Sequence, residues 1–316
     1  MVKVSVIIPV YGVEKYIERC ACSLFSQTLE SMEFIFVDDC SPDKSIEVLK
    51  DVINKYPARK NQVRIERMPK NSGLAAVRKY GASLATGEYM IACDSDDFVD
   101  GQMYETMYDM AIQDGLDLVQ CDIDLVDDSR VIRTLTSPIE TPSSQELKDM
   151  IIDGDIAASL CNKLVKRTIY QSEGVTFPVA GMDEDNTMSC QLAYLSKKLG
   201  YIKQSFYKAY YNRESMSRIP GKEQVLKRYH EALDNSKIAV EFLTSHGYSN
   251  SSIAVIRTKI RPKNALWSIV KDRQYLTLWK ETYPEVNYRV LFNRKVSIRT
   301  KIKFLLILSN LVSLKS

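Results

Sequence analysis

The first 125 residues of this 316-residue chain predict an α/β fold with a mainly parallel central sheet, and three observations carry the prediction. Short apolar runs alternate with longer segments whose apolar residues recur at helical spacing. The runs are continuous rather than alternating, as strands covered on both faces require. Polar clusters fall where the runs end: Pro9/Tyr11, Asp38/Asp39 and Asp94/Asp96/Asp97. In open parallel sheets, ligands bind beyond the carboxyl ends of the strands.

In order, VSVIIPV (4–10) is the first strand, and EKYIERCACSLFSQ (14–27) a helix with Ile17, Cys20 and Leu24 at helical spacing. EFIFVDD (33–39) is the second strand. SPDKSIEVLKDVINKY (41–56) is a helix with Ser41 as candidate N-cap and Pro42 at its first position. QVRIERM (62–68) is a strand, and SGLAAVRKYGASLATG (72–87) a helix with Leu74, Val77, Gly81 and Leu84 on one side. EYMIAC (88–93), DGQMYETMYDMAIQDG (100–115) and LDLVQCDI (116–123) give strand, helix and strand. The pattern then changes. Residues 127–145 are polar and turn-rich, a loop or crossing hairpin. SLCNKLVKRTIY (159–170) reads as a strand into a short helix, and VAGMDEDNTMSCQLAYLS (179–196) as a loop leading into a helix. YIKQSFYKAYYNRES (201–215) reads as a strand with alternating aromatics, and the chain is helical from Gly221 onward.

Hydrophobic content of 45% and charged content of 26% are ordinary globular values. No window approaches the ~18 consecutive apolar residues of a membrane span, and the N-terminus reads as a strand rather than a signal peptide. Seven scattered cysteines predict reduced core thiols of a cytoplasmic protein. Two histidines, both in the C-terminal half, argue against a histidine triad or zinc site. Charge is uneven. Residues 286–316 hold seven basic residues and no acid, leaving 36 basic against 40 acidic in the remainder. A mildly acidic body with a basic tail suggests no nucleic-acid partner.

The segment MIACDSDDFVD (90–100) crowds three aspartates into four positions after a run suited to a buried strand. Like charges this close repel and raise one another's pKa. An acidic helix-capping turn is one reading. The other is a divalent-cation site of Asp94, Asp96 and Asp97, since Mn²⁺ or Mg²⁺ takes carboxylate oxygens and leaves positions for phosphate oxygens. Asp38 and Asp39 suit either an Asx-type turn or recognition of a base or ribose. Arg78 lies off the apolar stripe of its helix, as a solvated residue or a phosphate-facing cation. Neither G-x-G-x-x-G nor G-x-x-x-x-G-K-[ST] is present, so dinucleotide and P-loop chemistry lack support.

VSVIIPVYG, FIFVDDCSPD, NSGLAAVRKYG and GEYMIACDSDD follow one another in the order and spacing of family 2 glycosyltransferases, and the chain resembles that family over about residues 1–218. CNKLVKR is similar to the family's acceptor-side strand, GMDEDNTMS to its E-D motif and YYNRESMS to its Y-R-x-x-S-type segment. Gly12 and Lys79 stand where the family usually has asparagine, which puts fine nucleotide contacts in doubt. The absence of Q-x-x-R-W argues against a processive synthase.

The resemblance implies a GT-A fold, a Rossmann-like sheet flanked by helices, over 1–218. It divides into a nucleotide-sugar half (1–125) and an acceptor half (126–218), followed by a helical region at 219–316. It implies an inverting, metal-dependent transfer from a nucleotide-sugar, most often UDP-linked, to a glycan or lipid-linked acceptor in cell-surface polysaccharide synthesis. Pro9, Tyr11, Asp38, Asp39, Arg78, Asp94 and Ser95 would bind the donor, with Asp96, Asp94 and Asp97 at the metal. Asp185 would be the general base, with Glu184 next in line. The other readings of Asp183–Asp185 are a helix N-cap and favourable dipole contacts. A binding module without turnover and a nucleotidyltransferase are the alternatives for the whole chain. The intact E-D motif speaks against the first. The lack of a lysine-bearing glycine loop after the first strand speaks against the second. The tail RTKIKFLLILSNLVSLKS suggests peripheral contact of 286–316 with the anionic inner face of the cell membrane; a helix closing the core or a homodimer contact is the alternative.

Overall fold

The structure, a computed structural model, describes residues 1–211 and 220–309. The chain divides into two compact units, residues 1–177 with 188–213, and residues 178–187 with 214–316. The sequence reading places 178–187 in the first domain; here that segment groups with the helical unit.

The first unit opens with the predicted alternation: β1 (Val4–Val10), α1 (Ile17–Phe25), β2 (Met32–Asp38), α2 (Ser45–Lys55), β3 (Val63–Arg67), α3 (Leu74–Leu84) and β4 (Tyr89–Ala92). It continues through β5 (Phe98–Val99), α4 (Met103–Asp114), β6 (Leu118–Val126), β7 (Val131–Leu135), α5 (Ser144–Asp153), β8 (Lys163–Lys166), α6 (Arg167–Tyr170) and β9 (Leu199–Tyr210). One sheet runs β3-β2-β1-β4-β8-β6-β9-β5, with β7 paired to β6. β3, β2, β1 and β4 are parallel, and their apolar runs are almost wholly buried except in β3 at the edge. β8 is antiparallel to both β4 and β6, and β6 is parallel to β9.

Register aligns the strand ends. Val10 lies opposite Asp38, and Ile7 opposite Ala92, so the segment after Ala92 leaves the sheet beside Pro9 and Val10. The Ile7 carbonyl accepts from Cys93 N at 2.9 Å, so odd residues of β1 face β4. Pro9 faces that edge beyond the last β4 partner, where its missing N–H leaves no ladder bond unmade. Gly81 lets α3 settle on the sheet: a Cβ there would lie 2.5 Å from Ile7 Cγ2. That close approach brings Arg78, one turn earlier, to the strand ends.

Two elements were not predicted. β5 has only two residues and is defined by its pairing with β9. Helix α5 carries a capping box, with Ser143 Oγ accepting from Glu146 N and Glu146 accepting from Ser143 N; the S-x-x-E signal straddles the end of the polar stretch 127–145. The hairpin itself is β6–β7.

Helix α7 (Glu184–Leu195) starts in the second unit and continues into the first. The second unit further comprises α8 (Lys222–Ser245), α9 (Ile253–Ala265), α10 (Arg273–Glu281), α11 (Val286–Phe292) and α12 (Ile298–Leu308). Its core centres on Trp279, whose ring meets Phe304 of α12 edge-on at 4.7 Å. Lys263 is fully buried there: its amine donates to the Trp279 and Thr282 carbonyls, and burial pushes its pKa down to about 7. All seven cysteines are free thiols, five of them buried.

Candidate active site

The crevice wall at β1 and β2 is tied from below. Asp39 accepts from the backbone N–H groups of Ser72 (2.7 Å) and Gly73 (2.8 Å) ahead of α3. Asp38 accepts from Ser41 N at 2.7 Å and pairs with Arg67 at 3.5 Å. Both carboxylates are buried. Cys40 follows with φ 58° and Gly12 has φ 66°, left-handed turns that aim the two loops at each other. There, Gly12 N donates to Ser41 Oγ (2.9 Å), Val13 N to Ser45 Oγ (3.0 Å) and Glu14 N to Asp43 Oδ2 (2.9 Å). Burial pushes the Asp43 carboxyl up, but hydrogen bonds from Ser41, Ser45 and the Glu14 and Ser45 amides outweigh it and hold it at about 2. Tyr11 stands 42% exposed above this braced floor.

The acidic turn after β4 is divided among different partners. Arg78, buried on α3, pairs with Asp94 Oδ1 at 2.5 Å. Asp97 turns inward, accepting from Tyr207 OH (2.6 Å) and Tyr210 N (2.7 Å) of β9. Burial and then the charges of Asp94 and Asp96 raise the Asp97 pKa well above the usual carboxylate range. The Tyr207 hydroxyl also accepts from Asp94 N at 3.1 Å, so one phenol spans the turn. Arg19 of α1 lies between the Phe98 ring (4.6 Å) and the Tyr210 ring (4.2 Å) and donates to the Asp96 carbonyl at 3.1 Å. Ser95 is buried, whereas Asp94 and Asp96 are half-buried at the rim.

The second acidic turn, Asp183–Asp185, is built in the helical unit. Asp183 has φ 60°, which aspartate tolerates better than most residues. Its carboxylate pairs with Arg261 of α9 at 2.9 Å, and its carbonyl accepts from Thr187 N as α7 begins. Asn235 of α8, fully buried, accepts from Val179 N (3.0 Å) and donates to the carbonyls of Ala180 (2.7 Å) and Met182 (2.8 Å). Glu231 accepts from Met182 N at 3.2 Å. Glu184 is buried, and Asp185 is half-buried in the first turn of α7. Sequence spacing offered no signal for Asn235 or Arg261, which lie tens of residues downstream.

A family model described as "Glycosyl transferase family 2" matches residues 5–173, more than half of the chain. The chain belongs to glycosyl transferase family 2. It is 30% identical over 234 residues to the uncharacterized glycosyltransferase YibD of Escherichia coli K12, an alignment covering 69% of this chain and 64% of that relative. The chain thus spans under two thirds of that relative's length. Among solved structures, S. aureus TarS 1-349 in complex with UDP-GlcNAc superposes with a TM-score of 0.62 at 18% identity, covering 98% of this chain and 91% of that one. The mannosyltransferase PcManGT from Pyrobaculum calidifontis, in complex with GDP-Man and Mn2+, gives 0.56 at 13%, covering 98% and 86%. These likenesses show the fold, which is GT-A: a mixed α/β sheet flanked by helices and followed by C-terminal helices.

Several expectations change for this family 2 chain. The three aspartates after β4 do not converge: no group of three or more His, Cys, Asp or Glu side chains poised for a metal occurs among the described residues. Both Asp97 oxygens accept from tyrosines, one from the Tyr207 hydroxyl and one from the Tyr210 amide, which ties the turn to β9. Asp94 and Asp96, half-buried carboxylates at the rim, fit a hard divalent cation by their oxygen chemistry. Arg78 meets Asp94, and both Asp39 oxygens carry backbone donors. CNKLVKR forms β8: Lys163 is buried against the Ala157 and Ser159 carbonyls (both 2.7 Å), and Lys166 pairs with Asp117 at 2.8 Å. In the YYNRESMS segment, residues 212–217 lie outside the described residues. No helix among the described residues is long and apolar enough to cross a membrane.

Proposed function

We propose that the chain is an inverting glycosyltransferase that moves a sugar from a UDP-linked donor to a hydroxyl of a glycan or lipid-linked acceptor, in cell-surface polysaccharide synthesis at the cytoplasmic face of the membrane. The carrying observation is the alignment of Pro9/Tyr11, Asp38/Asp39 and Asp94/Asp96 at the carboxyl ends of three adjacent parallel strands. The UDP-GlcNAc held by TarS favours a UDP-linked donor.

In this reading, Asp39 and Asp38 meet the base and ribose with the lone pairs their backbone partners leave, and Pro9 and Tyr11 wall the pocket. Asp96 and Asp94 would hold Mn²⁺ or Mg²⁺, which when bound supplies positive charge to the departing diphosphate. Arg78 fixes the Asp94 carboxylate, and Tyr207 and Arg19 fix the turn. Asp185 takes the acceptor proton. Asp183 is engaged by Arg261 and Glu184 is buried, whereas Asp185 is half-buried in the first turn of α7, which supports it in this role. The acceptor oxygen bonds to the anomeric carbon as the sugar–phosphate bond breaks, the electron pair leaves with the diphosphate, and configuration inverts. The basic tail 286–316 holds the enzyme at the membrane surface.

Calorimetry with UDP, GDP and dTDP, each with Mn²⁺ and with chelator, tests the donor half. UDP binding preferred over the others and weakened by chelation is expected. UDP affinity indifferent to chelation would remove the metal from the reading, and a stronger response to GDP would change the donor.

A further inference from the structure

Helix α12 has two apolar faces. At about 100° per residue, Phe304 and Ile307 point one way and are buried against the helical core. Ile298, Ile302, Leu305 and Leu306 fall on the opposite side, 75%, 51%, 51% and 39% exposed. Arg299 and Lys301 flank that outer stripe, one on each edge. Tyr288 and Phe292 of α11, which packs against α12, are 65% and 83% exposed. Beside the stripe an open cavity of about 390 Å³ is lined by Asn264, Trp267, Arg299, Thr300 and Lys303, with Lys303 Nζ 4.6 Å from the Trp267 ring.

We propose that this outer face docks on an anionic phospholipid surface, with Phe292, Ile298, Ile302 and Leu305 entering the interface and the Arg299/Lys303 cavity taking lipid phosphate. The proposal rests on the membrane-surface reading above and names its contact. An apolar stripe bordered by cations on both edges matches a lipid interface, where acyl chains meet phosphates. A tryptophan beside a lysine at the cavity suits the same boundary. A second copy fits poorly. Two-fold pairing through this stripe would gather Arg299, Lys301 and Lys303 of both copies at one seam, and residues 286–316 contain no acid to offset them. Binding therefore has two separable parts, an apolar one and a salt-sensitive one. The contact uses residues of helices α11 and α12.

The test is flotation of the full chain with vesicles of phosphatidylcholine alone or mixed equally with phosphatidylglycerol, at about 0.1 M and about 0.5 M salt, between which screening tightens markedly. Wild type is expected to float with the anionic vesicles and less so at high salt. Ile302→Glu with Leu305→Glu is expected to cut the bound fraction at least about tenfold, and Arg299→Glu with Lys303→Glu similarly. The same charge change at Arg294 and Lys295, outside the cavity lining, is expected to cost less. Thermal unfolding followed by circular dichroism reports folding of each variant and UDP calorimetry reports the donor site, so failure of the donor reading is distinguishable. Wild type that ignores anionic vesicles at low salt overturns the proposal. So does flotation of the Ile302/Leu305 variant like wild type, or a dimer in sedimentation that this variant dissolves. An equal loss from the Arg294/Lys295 variant overturns the phosphate cavity.

Discussion

The molecule carries two acidic turns, Asp94–Asp97 after β4 and Asp183–Asp185 before α7, and their supports differ in kind. The first is braced within one sheet system: Arg78 comes from the neighbouring helix, and Tyr207 and Tyr210 from a strand at the far end of the chain order. The second is braced by helices, through the Arg261 ion pair and the buried Asn235 amide that holds three backbone groups of the preceding loop. In both, aspartates that look equivalent in sequence are unequal in the fold. Asp97 is buried against Tyr207 and Tyr210 and Asp183 pairs with Arg261, while Asp94, Asp96 and Asp185 are half-buried in the same two turns. Crowded carboxylates are tolerated when the fold supplies donors and cations to offset their repulsion.

The comparison breaks most sharply at its accessible members. Asp185→Asn should lower transfer by ~10²–10⁴-fold with UDP binding intact, as loss of a general base does. Near-normal transfer by this variant, with Glu184→Gln inactive, would exchange their roles. Asp96→Asn should cost about 10²–10³-fold in turnover, the scale of a lost electrostatic stabiliser, and in calorimetry should abolish any response of UDP binding to Mn²⁺. A variant whose UDP binding still tracks Mn²⁺ would move the cation elsewhere.

The braces should give smaller effects of opposite distribution. Asn235→Leu strands the Val179 amide and the Ala180 and Met182 carbonyls. It should cost about 1–3 kcal/mol in stability and roughly tenfold or more in transfer by letting the loop shift, with UDP affinity unchanged in calorimetry. Tyr207→Phe removes a donor to Asp97 and an acceptor from Asp94 N. It should cost about 1–3 kcal/mol and weaken UDP binding, the reverse pattern. If both variants damage UDP binding equally, the two turns are not separately supported.

The smallest effect concerns the braced floor beneath Tyr11. Asp43 titrates at about 2 in the fold against 3.8 ordinarily. A lowered folded pKa means the unfolded chain binds the proton more readily, so this stability is present above pH ~4 and is lost as pH falls through about 2. Discounted for solvent screening at this partly exposed site, it amounts to about 1 kcal/mol. Urea unfolding of wild type and Asp43→Asn should differ at pH 7 and converge toward pH 2; a gap that persists in acid would mean that packing, not charge, is the cause.

The sequence by itself determined the parallel half of the sheet, because continuous apolar runs separated by helical periodicity admit few other solutions. It determined the order of the motifs, and hence the family, and the position of both acidic turns. It also exposed the basic, leucine-rich tail. It did not reveal β5, since two residues form a strand only through their partner β9, or α5, whose capping box lay in a stretch that is otherwise polar. Only the tertiary structure decided what each carboxylate meets. Tyr207 lies 110 residues from Asp97 and Arg261 lies 78 from Asp183, and no local pattern encodes such pairings. It likewise split the apolar residues of α12 into two faces, because burial of Phe304 and Ile307 depends on where Trp279 stands. Periodicity reports which residues share a face of a helix; what that face meets is set by the elements the rest of the chain brings to it.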